Sequence, residues 1–160
     1  MIKVTPLTDL QTENFTALFK CYYAELGCAD DAEQLVQEYV LPDLLAGLLH
    51  VDLLYDGGGC IGFVIYQKDD IDNDWNYKEG WGDVREIYVA PFARGRGYGK
   101  FLLYTAEMKL KDAGADRAYC LPAENAAEFF TACGYSRTDE YDEEFGCYVY
   151  EKINLNNRCG

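Results

Sequence analysis

From Val84 to Ala113 the hydrophobic period changes across one short turn, and that change limits the folds open to this chain. Val84-Arg85-Glu86-Ile87-Tyr88-Val89 reads as a strand that ends before Pro91. From Gly97 to Ala113, Phe101, Leu102, Tyr104, Ala106, Met108 and Leu110 include an apolar stripe at helical spacing, and Gly114 ends the helix. Between them stands Arg94-Gly95-Arg96-Gly97-Tyr98-Gly99-Lys100. Alternate glycines let backbone N–H groups converge on one point and let a ligand come close. The new helix adds N–H groups without helical partners and the positive end of its dipole. Such a segment is an anion cradle, suited to a pyrophosphate.

Two familiar phosphate-binding turns are excluded. A P-loop needs G-x-x-x-x-G-K-[ST]; here Arg94 stands at the first glycine position and Phe101 follows Lys100. The dinucleotide fingerprint G-x-G-x-x-G fails at Lys100 when counted from Gly95 and at Leu102 when counted from Gly97. A helix entry that merely carries solvated arginines is the competing structural reading.

The remaining pattern gives the element order β-α-α-β-β-β-α-β-α-β-β. The expected strands are Ile2–Leu7, Leu49–Tyr55, Cys60–Gln67, Val84–Val89, Arg117–Leu121, Tyr135–Tyr141 and Phe145–Ile153. A first helix is expected over 10–25. A second starts after Asp30-Asp31, is interrupted at Pro42, and leaves a further helical turn at Leu44–Leu48. A short helix is expected over Glu124–Cys133, and Asp69–Gly82 reads as an acidic loop with Trp75, Tyr77 and Trp81. Strands interleaved with helices on a mixed sheet make the class α/β (α+β). The 160 residues suit one domain, expected over 1–153, with 154–160 as a tail.

Composition narrows the function. Lys+Arg is 14 against Asp+Glu 28, a net charge of −14. A chain this acidic repels a phosphate backbone, so nucleic acid is not an expected partner. It attracts cations, although the same charge would serve solubility alone. No apolar run approaches a membrane span, and the N-terminus lacks a signal peptide's apolar core. The seven cysteines are odd in number, scattered and without C-x-x-C spacing, as free thiols are in a reducing compartment. The expected location is therefore cytoplasmic. His50 is the only histidine and reads as strand packing, so no metal site is expected.

Arg94-x-x-Gly97-x-Gly99 after Tyr88-Val89-x-Pro91 resembles the acyl-CoA signature of the GNAT superfamily of N-acetyltransferases, Q/R-x-x-G-x-G/A. Ala126-x-x-Phe129-Phe130-x-x-x-Gly134-Tyr135 is similar to the family's A-x-x-F-Y-x-x-x-G-F segment. Together the two motifs cover about 84–135. The resemblance implies a GNAT-like fold: a mixed, mostly antiparallel sheet of about seven strands with helices on both faces. It implies an acetyl-CoA-dependent N-acetyltransferase acting on a primary amine. It places backbone amides of Gly95, Arg96, Gly97, Tyr98, Gly99 and Lys100 on the CoA pyrophosphate, and Ile87, Tyr88 and Val89 along the pantetheine arm. The thioester would lie where the strands Val84–Val89 and Arg117–Leu121 splay apart.

The chemistry then asks for particular groups. A protonated amine is not a nucleophile, and Glu86, on the strand beside the implied thioester, is the candidate base. A strand N–H would stabilise negative charge on the carbonyl oxygen. The family's proton-donating Tyr is matched by Phe130, which has no hydroxyl; Tyr135, Tyr104 and Cys133 are the substitutes at hand. The family's CoA-binding Asn aligns with Ala123, and Asn125 stands two residues on. Phe129 and Phe130 fall in the same CoA-side segment. Trp75, Tyr77 and Trp81, with the surrounding carboxylates, are candidates to hold a cationic acceptor, either a small metabolite or a peptide amine. Aromatics covering a sheet edge are the alternative there. Phe130 also keeps open a non-catalytic acyl-CoA-binding sensor or interaction module. A homodimer rests on family analogy alone.

Overall fold

The computed structural model describes residues 1–155, so of the expected tail residues 156–160 lie outside the described residues. The elements are β1 (Ile2–Pro6), α1 (Thr12–Glu25), α2 (Ala32–Leu35), α3 (Leu41–Leu45), β2 (His50–Asp56), β3 (Gly59–Lys68), β4 (Gly82–Val89), α4 (Tyr98–Asp112), β5 (Ala118–Cys120), α5 (Ala127–Ala132), β6 (Ser136–Asp142) and β7 (Cys147–Lys152). They fall in the expected order. The strands form one seven-stranded, mostly antiparallel sheet in the order β1-β2-β3-β4-β5-β7-β6. β1 runs antiparallel to β2 from Ile2 opposite Asp56 to Pro6 opposite Asp52. β4 is parallel to β5, with Gly82 opposite Ala118 and Asp83 opposite Tyr119. β5 ends at Cys120, so Glu86–Val89 extends beyond that two-residue ladder.

Pro42 does not interrupt the second helix. Val36–Val40 forms a π-turn between α2 and α3, and the Leu41 N–H donates to Val36 O, five residues back. The widened turn ends one residue short of Pro42, which has no N–H to give, and the chain stays helical through it.

The chain divides into two compact units, residues 1–65 with 86–102, and residues 66–85 with 103 onward. In the first, α1 presents Phe15 and Phe19 at i, i+4 spacing to Val51 and Leu53 of β2, Phe63 and Ile65 of β3, and Tyr88 of β4. Phe15 meets Phe63 edge-on at 5.3 Å, and Phe19 stacks on Tyr23 at 4.6 Å. Gly62 lets strand and helix approach: a Cβ there would lie 2.7 Å from the Tyr88 carbonyl oxygen and 3.3 Å from Leu102 Cδ1. Gly62→Ala is therefore expected to cost about 1–3 kcal/mol in urea unfolding, since a backbone atom cannot yield as a side chain can.

In the second unit, Leu103, Ala106, Leu110, Ala118, Tyr119, Phe130, Cys133, Tyr135 and Val149 are buried. Leu155, expected in the tail, is buried as well, and its N–H donates to Asp116 O at 3.0 Å. Among the described residues no helix is long and apolar enough to cross a membrane.

Candidate active site

The first unit holds the glycine turn and the outer half of β4. A single 3-10 turn, Pro91–Ala93, carries the chain off β4, and the Ala90 N–H donates to Ile61 O at 2.8 Å. Gly95 and Gly97 then take φ of +78° and +84°. L side chains are strained there, which explains why glycine stands at both positions. A Cβ at either would meet nothing within 4 Å, so it is the backbone shape, and not crowding, that requires glycine. α4 begins at Tyr98, and the Phe101 N–H donates to Gly97 O at 3.1 Å. The amides of its first turn precede that bond and have no helical acceptor. Arg96 and Lys100 are exposed beside them. An open turn with two left-handed glycines, a helix N-terminus and two cations fits an oxygen-rich anion such as a pyrophosphate.

Arg94 is also engaged within its own unit. Its Nε donates to Val89 O at 2.8 Å, its guanidinium grips both Glu25 oxygens at 3.0 Å, and it lies 5.3 Å over the Tyr88 ring. It fastens the start of the turn to β4 and to the C-terminal end of α1. The Tyr88 hydroxyl and Arg94 together hold the Glu25 carboxyl below its ordinary range. Burial and that same carboxylate push the Tyr88 phenol well above its own.

Glu86 is half-buried on β4 and accepts a hydrogen bond from the Tyr23 hydroxyl of α1 at 3.2 Å. Tyr22 lies beside it, with its ring 5.5 Å from Tyr88. Burial, and then the Glu86 charge, keep the Tyr22 phenol protonated far beyond neutral pH. Neither the pairing of Tyr23 with Glu86 nor the grip of Arg94 on Glu25 could be read from the sequence. The partners are 63 and 69 residues apart, and Tyr23 sits on the core-facing side of an ordinary amphipathic pattern.

The other expected residues lie in the second unit. Tyr135, the proton-donor candidate, is 1% exposed, and its hydroxyl donates to Glu107 at 2.7 Å. Burial, and then the Glu107 charge, raise its phenol well above the ordinary range. Cys133 is also buried, whereas Tyr104 is half-buried on α4. Phe130 is buried against Phe129 and Tyr135, at centroid distances of 5.2 and 5.3 Å, and Phe129 is half-buried. Asn125 is exposed on the 3-10 turn Glu124–Ala126.

The acidic loop is built inward. Asp69 is 1% exposed and accepts hydrogen bonds from Gln67, the Tyr77 and Lys78 amides and the Tyr119 hydroxyl. It organises the loop and is closed to an incoming cation. Trp75 stacks on Tyr77 at 5.4 Å and donates to the Tyr119 hydroxyl at 3.2 Å. The Tyr77 hydroxyl donates to Glu140. Trp81 is faced by Lys78 and Arg117 at 5.4 and 5.3 Å. Each aromatic named for the acceptor already has a partner in its own unit.

A model of the Acetyltransferase (GNAT) family matches residues 8–135, and the chain belongs to that family; it is an enzyme of the acetyltransferase class. Solved structures of similar fold include the PaiA N-acetyltransferase of Thermoplasma acidophilum in complex with coenzyme A. That match has 16% identity and a TM-score of 0.75, and covers 96% of this chain and 99% of that one. A GCN5-related N-acetyltransferase of Ralstonia eutropha JMP134 has 20% identity and a TM-score of 0.72, covering 89% and 97%. A Clostridium acetobutylicum protein described as a predicted acetyltransferase, solved with acetyl-CoA, has 18% identity and a TM-score of 0.74, covering 89% and 95%. A search of curated proteins gave no match.

Proposed function

We propose that residues 1–153 act as one N-acetyltransferase domain that moves the acetyl group of acetyl-CoA to a primary amine on a small cationic metabolite or a peptide. The observation that carries this reading is the glycine turn, left-handed at Gly95 and Gly97 and open above both, running directly from β4 into α4. In this reading the amides of residues 95–100 bind the pyrophosphate, and the outer part of β4 at Ile87, Tyr88 and Val89 lies along the pantetheine. Arg94 holds the turn in shape from within. When bound, acetyl-CoA supplies a thioester carbonyl open to attack by an uncharged amine.

Glu86 is the base that takes the amine proton, directly or through water. No side chain is assigned as donor to the departing sulfur. A thiol with an ordinary pKa near 8.5 leaves as thiolate without one. The net charge of −14 favours a cationic acceptor over an anionic one.

Calorimetric titration with acetyl-CoA, CoA and ATP tests the cradle. Acetyl-CoA and CoA are expected to bind and ATP to bind weakly, and Gly97→Val is expected to weaken acetyl-CoA by about 10–100-fold, through a strained φ and misdirected amides. Binding of ATP but not CoA would overturn the reading. A panel of diamines, aromatic amines and lysine peptides, followed by release of the CoA thiol, then identifies the acceptor class.

A further inference from the structure

We propose that Tyr23 is a positioning residue for the transfer reaction: its hydroxyl holds the Glu86 carboxylate in place and keeps it charged, ready to take a proton. This rests on the reading of Glu86 as the base. The geometry is local to the first unit. The Tyr23 hydroxyl donates to Glu86 Oε1 at 3.2 Å, across from α1 to β4. The Tyr23 ring is itself fixed, stacked on buried Phe19 at 4.6 Å with planes 26° apart, and edge-on to Tyr22 at 5.4 Å. A donor locked by packing restricts the carboxylate to few rotamers, as a precisely placed base requires.

The groups around Glu86 make this bond consequential. From α1 the titratable neighbours are the Tyr22 and Tyr23 phenols, and Tyr22 stays neutral under burial and the Glu86 charge. On its own strand Tyr88 lies two residues on, engaged with Glu25 and Arg94. β3 contributes Phe63, Ile65 and Cys60 to the same cluster, and burial pushes the Cys60 thiol above its ordinary value. Arg94, beyond the end of β4, is bonded to Glu25 and Val89 O, and Arg85, the residue before Glu86, donates to Gln67. A hydrogen bond donated to the charged form of a carboxylate favours that form.

Tyr23→Phe keeps the ring stack and removes only the donor. It is expected to lower kcat about tenfold, the effect of losing one hydrogen bond to a charged group, with acetyl-CoA affinity by calorimetry unchanged. The acidic limb of the rate profile should move to higher pH. In side-chain carboxyl NMR of the glutamate-labelled protein, the resonance missing from Glu86→Gln should also titrate at higher pH in Tyr23→Phe. In the Glu86→Gln background, Tyr23→Phe should add nothing.

The role of Tyr23 is overturned if the Glu86 titration is unmoved, or if the two substitutions multiply. If Glu86→Gln itself transfers acetyl at the wild-type rate, the base assignment fails instead. The NMR shift decides the role of Tyr23 even if no panel amine turns over.

Discussion

Replacing Glu86 by glutamine is expected to lower kcat for acetyl transfer by about 10²–10⁴-fold, the usual contribution of a positioned base. Glutamine keeps the shape and still accepts from the Tyr23 hydroxyl, which sits 3.2 Å from Oε1 in the native chain. What it lacks is an acceptor for the amine proton. The loss should fall on kcat, with the acetyl-CoA dissociation constant within about twofold of the native value, because the turn at 95–100 is untouched. The pH profile separates this from a packing effect. The native rate should rise with pH through an acidic limb set by the base. In Glu86→Gln that limb should vanish, leaving only the rise due to deprotonation of the free amine. An unchanged rate with an unchanged limb would remove Glu86 from the mechanism.

The parts of this protein that were legible in its sequence are those where local pattern and local demand coincide. The strand ending before Pro91, the glycines at 95 and 97 and the helix after them are fixed by short-range sterics, and both glycines take the positive φ that only glycine adopts easily. The π-turn before Pro42 was not legible, because propensity marks a proline as a break while tertiary packing of Val36 and Val40 holds the helix together. The loop at Asp69–Gly82 was legible as acidic and aromatic, but its pairings were not: Asp69 is bonded to the loop's own amides and Trp75 to Tyr119. The bond of Tyr135 is of the same kind: its position in a motif says nothing of Glu107, which lies 28 residues earlier and accepts from its hydroxyl. Pairings of this kind are decided by the fold, and no spacing announces them.

That buried cluster carries the largest stability effect expected in the molecule. Glu107 on α4 and Lys152 on β7 are 1% and 3% exposed, paired at 3.0 Å, with Tyr135 donating to the other carboxylate oxygen at 2.7 Å. Lys152→Met fills similar volume but leaves a carboxylate buried without its cation, which is expected to cost about 3–5 kcal/mol in urea unfolding. The pH dependence follows from Glu107, whose carboxyl burial pushes above its ordinary value of 4.5 while Tyr135 and Lys152 pull it back. Because the folded chain binds that proton more tightly than the unfolded chain, the associated stability is present below pH 4.5 and falls as pH rises through the higher, folded value. Removing Lys152 takes away one of the two restraints, so the fall becomes larger and extends to higher pH. The deficit of Lys152→Met relative to the native protein should therefore be smallest in acid and widen toward neutrality. Adding Glu107→Gln to Lys152→Met should restore much of the loss at pH 7, since a neutral amide can still accept from Tyr135 and bears no charge to strand. A deficit equal at pH 4 and pH 7, or a double variant weaker than the single one, would mean that Lys152 stabilises the unit by packing its methylenes and not by holding the Glu107 charge.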